Sequence, residues 1–171
     1  MKGGVFPRFV KALRRDWAVR FSGITPMERS HGRALPKTST FSAGWEPPDG
    51  RRLFLNLQHH SKSWHVGCFT VNVVVALTDT PPDPAPQPTE DFWRKRAGWY
   101  RLGSLLHGDD KWWALLPTHP LPTRLSWEPR SYQDEDAVFR EAIEDVSGDV
   151  GRLLLRIERD AAEQGDEADE C

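Results

Sequence analysis

LFLNLQHHSKSWHVGCFTVNVVVAL, residues 53–77, carries two runs in which apolar side chains recur at every second position. Leu53, Leu55 and Leu57 alternate with Phe54, Asn56 and Gln58; Phe69, Val71, Val73, Val75 and Leu77 alternate with Thr70, Asn72, Val74 and Ala76. A period of two is that of a strand with one face turned to a core. The polar, His-rich stretch between the runs predicts an antiparallel pair joined by a loop.

Upstream, TSTFSAGW (38–45) reads as a further strand. Glu46-Pro47-Pro48-Asp49-Gly50 follows, with a fixed φ at proline and a tolerant glycine, so three strands form a meander. Residues 22–37 read as a connection. Phe6, Val10, Leu13, Trp17 and Phe21 keep to one arc at 3.6 residues per turn, with Arg8, Lys11 and Arg15 opposite, which predicts an amphipathic helix over 6–21. Downstream, DTPPDPAPQP (79–88) holds five prolines, too dense for a sheet ladder or a helix, and reads as an exposed loop. Thr89 to Arg96 predicts a short helix capped by Thr89. WYRLGSLL (99–106) and KWWALL (111–116) flank His107-Gly108-Asp109-Asp110, a turn signal that predicts a second hairpin. Arg124 to Trp127 offers a short edge strand in an otherwise Pro-rich loop.

The last element runs from about Asp134 to Ala162. Phe139, Ala142, Ile143, Val146, Val150, Leu153, Leu154 and Ile157 share one arc, with Gly148 and Gly151 opposite it. The tail 163–171, EQGDEADEC, is acidic and poor in apolar groups and is expected to be disordered. A sheet face and a helix stripe each need a partner. The expected fold is therefore a single α+β domain over 1–162, an antiparallel sheet of about five strands packed on an N-terminal and a long C-terminal helix.

The 171 residues suit one domain, and no run approaches the roughly 20 apolar residues of a membrane span. The first residues lack a secretory core, and the two cysteines, Cys68 in a strand and Cys171 at the tail, are expected as free thiols of a cytoplasmic protein. The net charge of −2 conceals +8 on residues 1–65, zero on 66–133 and −10 on 134–171. These ends are expected to lie close and offset one another.

His59, His60, His65 and Cys68 have the residue types of a metal site. On strands, however, His65 and Cys68 point to opposite faces, and His59 and His60 diverge, so no metal or other cofactor is expected. Ser61, Lys62 and Ser63 lack a nucleophile elbow. Glu141, Glu144 and Asp145 lie off the apolar arc and are expected to be solvated, unsuited to acid–base work. Of eight tryptophans, Trp112 and Trp113 are neighbours on one strand, so one of them must face away from the core. Trp112 is either covered by other segments or an exposed anchor, and Trp64 is a loop anchor.

The order Leu57-Gln58, Ser61, Phe69-Thr70-Val71-Asn72, Arg101-Leu102-Gly103 and Lys111-Trp112-Trp113 resembles a bacterial family of small proteins filed as a domain of unknown function. The resemblance spans about residues 6–157 and departs at the Pro-rich insertion and the acidic tail. It implies an α+β fold and a cytosolic bacterial origin, with no activity to carry over. Without a catalytic constellation, the chain is expected to be a non-enzymatic protein-binding module of the immunity or antitoxin kind. The alternative is a small-ligand protein or enzyme with an anion pocket near 58–65. Binding residues expected on these grounds are Gln58, His59, His60, Trp64, His65, Arg101 and Trp112. Nucleic acid, which would use Arg8, Lys11, Arg14 and Arg15, is disfavoured by the acidic last helix.

Overall fold

The two alternating runs form adjacent antiparallel strands in the computed structural model, which describes residues 4–26, 41–45, 51–59, 67–76, 85–117 and 125–169. In chain order the elements are α1 (Val5–Arg20), β1 (Thr25–Pro26), β2 (Phe41–Trp45), β3 (Arg52–His59), β4 (Cys68–Ala76), α2 (Thr89–Trp93), β5 (Gly98–Arg101), α3 (Leu102–His107), β6 (Trp112–Ala114), β7 (Ser126–Trp127) and α4 (Glu135–Asp169). The sheet order is β1-β2-β3-β4-β6-β7, and β5 also pairs with β4. Every strand pair is antiparallel except β6 with β7, where Trp112 stands opposite Ser126. The fold is α+β with a mostly antiparallel sheet.

Register follows the sequence period. Leu53, Leu55 and Leu57 stand opposite Val75, Val73 and Val71, and Tyr100 and Trp113 extend that set on β5 and β6. The helices cover this face. Phe6 and Phe9 of α1 place their rings 5.4 and 5.0 Å from Phe69, and Phe9 meets Phe139 of α4 edge-on at 5.5 Å. Phe92 of α2 meets Tyr100 at 5.2 Å. The arc expected on α4 is the arc it buries, except that Leu154 is only partly covered.

The opposed charges of the two ends meet, as expected: Arg8 pairs with Glu135 at 2.7 Å and Arg20 with Glu144 at 2.6 Å, joining α1 to α4. Such half-exposed pairs add little stability each. Gly148 and Gly151 have open space where a Cβ would stand and carry no positive φ. Gly148→Ala should therefore raise unfolding free energy by about 0.5–1 kcal/mol in denaturant titration, through lost freedom of the unfolded chain.

Several expectations are corrected. Residues 99–116 are not a hairpin. Leu102, Leu105 and Leu106 sit at helical spacing and form α3, and Gly108, at φ 78, caps that helix with its N–H on the Ser104 carbonyl. β5 and β6 then lie in succession along one edge of β4, Asn72 facing Arg101 and Cys68 facing Ala114. Thr89 is the first helical residue of α2, not its cap, since Pro88 holds that place. Pro86 bridges to Trp99, and the donor is Gln87 N, 2.8 Å from the Trp99 carbonyl, because proline has no N–H. Helix α4 continues to Asp169, beyond Ala162, so the stretch 163–169 expected as disordered is helical. The expected turn at 46–50 lies outside the described residues.

A buried ion cluster fastens α3 and β6 to α4. Asp149, fully buried, receives Lys111 Nζ at 2.8 Å and Arg152 Nη1 at 2.7 Å, and lies 3.3 Å from His107 Nε2. Lys111 also reaches Asp145 at 2.6 Å, and Trp113 Nε1 donates to Asp145 at 2.9 Å. Asp145, expected to be solvated, is thus engaged from two sides. Gly103 lets the cluster close: a Cβ there would lie 2.5 Å from Lys111 N.

Candidate binding site

Because strand side chains alternate, the second face of the sheet carries the even-numbered residues of β3 and β4 with Trp99, Arg101 and Trp112. Register sets them in three rows. Phe54, Val74 and Trp99 form one, Asn56, Asn72 and Arg101 the next, and Gln58 with Thr70 the third, at the end where β6 brings Trp112. A polar row thus runs between aromatic-bearing neighbours. Asn56, Asn72 and Thr70 are buried, as are Trp99 and Trp112, while Gln58 and Arg101 are half-buried. Gln58 and Arg101 are thus the partly exposed members of the polar group.

Arg101 fixes the direction of every bond in the row, since a guanidinium only donates. Its Nη1 donates to Gln58 Oε1 at 3.0 Å and to Asn72 Oδ1 at 2.8 Å. With its oxygen thus committed, Asn72 turns its Nδ2 outward and donates to Asn56 Oδ1 at 3.2 Å and Gln58 Oε1 at 2.9 Å. The side-chain amide oxygens of the row are now occupied. Among the described residues three buried side-chain atoms are without a partner, Asn56 Nδ2, Trp99 Nε1 and Arg101 Nε, and all three are donors. An orphaned buried donor costs about 1–3 kcal/mol, and only an acceptor relieves it.

The guanidinium of Arg101 also lies 5.7 Å from the centre of the Trp112 ring, within cation–π range. Burial pushes its pKa below the ordinary arginine value, and the charge of Asp110 only partly offsets this. Asp110 Oδ2 lies 3.8 Å from Arg101 Nε, close enough for attraction and too far to accept its hydrogen. Its Oδ1 accepts instead from Ser104 Oγ at 2.9 Å.

No family model, curated protein or solved structure matches this chain. The site therefore rests on its own residues.

Of the binding residues expected from sequence, Gln58, Arg101 and Trp112 come together here. His59 ends β3 opposite Phe69. His60, Trp64 and His65 lie outside the described residues. Trp112 is 8% exposed, so it is a wall of the site and not a free anchor. Among the described residues no group of three or more His, Cys, Asp or Glu is arranged to hold a metal. Cys68 is a free buried thiol, its pKa pushed up to about 11 by burial. Asn56 and Asn72 were not foreseen as site residues. Their signal is two asparagines, poor strand formers, in the middle of apolar strands.

Proposed function

We propose that this chain is a non-catalytic binding protein, and that it takes a small acceptor-bearing ligand at the Gln58, Arg101 and Trp112 corner of the second sheet face. The carrying observation is the donor surplus: three buried N–H groups lack partners on a face whose side-chain amide oxygens are committed. An indole beside the guanidinium supplies an apolar wall, the usual make-up of a ligand site with a few fixed polar groups. Asn56, Gln58, Asn72, Arg101 and Trp112 do not exchange protons near neutral pH, which suits holding a ligand better than acid–base chemistry.

The small-ligand reading is preferred over a partner-protein module on two grounds. Trp112 is too covered to anchor a flat partner surface, and the charged chain ends are paired with each other through Arg8, Glu135, Arg20 and Glu144. A thermal-shift screen of metabolites against the wild type and Arg101→Lys tests this. A ligand at a hundred times its Kd should stabilise the wild type by about 2.7 kcal/mol and leave the variant nearly unmoved. Hits that stabilise both proteins equally would place binding elsewhere and reject this site.

A further inference from the structure

We infer that the outward face of α4 is a self-association surface for a second copy of this chain, the two helices lying antiparallel about a two-fold axis level with residues 149–150. Helix α4 packs on the first sheet face, so this surface is separate from the ligand corner. At the helical period, Glu144, Gly148, Gly151 and Leu155 lie within about 30° of the direction opposite the buried arc. Glu144, Gly148 and Leu155 are exposed and Gly151 partly so. Leu155 is 62% exposed and Val19, at the end of α1, is 88% exposed, the two large apolar side chains that the described residues leave to solvent.

Charge selects the occupant and its direction. Arg140 and Glu158 border the outward stripe on one side, Glu141 and Arg159 on the other. A two-fold axis makes the contact isologous and sets each border against itself. In the antiparallel arrangement Arg140 meets Glu158 of the second copy and Glu141 meets its Arg159, each pair occurring twice. A parallel arrangement would instead set Arg140 on Arg140 and Glu158 on Glu158. Arg140, Glu158 and Arg159 are exposed and pair with no described residue, and Glu141 accepts from Arg130 N at 3.1 Å with one oxygen and keeps the other.

The centre of the stripe allows close approach. Nothing stands within 4 Å of a Cβ built at Gly148 or Gly151, so Leu155 of the second copy descends beside Gly148 onto the stem of Glu144. Glu144 is neutralised there, since both its oxygens accept from Arg20, at 2.6 and 3.3 Å. That ion pair also fastens the end of α1, with Val19, beside the seam. Arg152, near the axis, is drawn aside by Asp149 at 2.7 Å, which keeps the two copies' guanidinium groups apart. One helix pair is a small interface, so the dimer forms reversibly.

The test is sedimentation of the full chain over a concentration series. The wild type should pass from monomer to dimer as concentration rises. Leu155→Glu should weaken the dimer by about a hundredfold, with the unfolding curve of the monomer unchanged because the side chain faces solvent. Arg140→Glu and Glu158→Arg should each weaken it by about tenfold, and the two together, which exchange the charges, should return it close to the wild type. A chain that stays monomeric up to about 1 mM overturns the inference, as does a dimer indifferent to Leu155→Glu. Charge changes without effect, or a double variant no better than either single one, overturn the antiparallel pairing.

Discussion

Asp149→Ala is expected to remove about 3–5 kcal/mol of folding stability, because it breaks a buried charge cluster from its centre. Lys111 is 8% exposed and depends on Asp149 and Asp145 for its ammonium, and Arg152 and His107 approach the same carboxylate. Removing the carboxylate leaves a cation in the interior with one acidic partner in place of two. Asp149→Asn keeps the shape and one acceptor oxygen, so it should cost less than the alanine change. Chemical denaturation with unchanged m-values would establish the order. A loss below about 1 kcal/mol for Asp149→Ala would show that Asp145 alone can carry Lys111.

Trp113→Ala should cost a similar amount, about 3–5 kcal/mol, through a different mechanism. The indole is fully buried, stacks on Phe69 at 5.6 Å and 14°, and lies 4.9 Å beneath the Lys111 ammonium. Its removal opens a cavity beside Phe69 and strips one hydrogen bond from Asp145 of α4. Trp113→Phe retains the ring contact and loses the N–H, and should cost roughly 1–3 kcal/mol. Since Trp113 and Asp149 both act on Lys111, the double variant should lose less than the sum of the two, and a double-mutant cycle reads that coupling directly. Additive losses would mean that the ring and the ion cluster stabilise the fold independently.

The sheet and long helix were legible because each carries its own period. Residues 53–59 and 68–76 carry apolar side chains at every second position, and the apolar arc of α4 holds its phase from Val138 to Ile157. Misreading came where periods are short. Leu102-Gly103-Ser104-Leu105-Leu106-His107 is too brief to separate helix from strand by spacing, and its Gly108 signals a helix cap as readily as a hairpin turn. Asp149 falls three residues after Val146 and four before Leu153, so its place inside the arc was visible as an acid on an apolar stripe. What the stripe could not disclose was Lys111, which lies 38 residues away in sequence and meets Asp149 only when β6 packs against α4. The site was half legible for the same reason. Gln58, Arg101 and Trp112 stood out by type, whereas Asn56 and Asn72 acquire their role only from a register that sets them side by side with Arg101.

Strand β4 has neighbours along both rims, with β3 on one side and β5 then β6 on the other, and all nine of its residues are buried. The most apolar ribbon of the chain is therefore enclosed. Among the described residues, the rims of the sheet are the two-residue β1 and β7 and, off the main path, β5, whose outer side carries Pro86 and Gln87 at Trp99. The valine-rich centre is thus kept away from any rim, where a strand from another molecule would have to add.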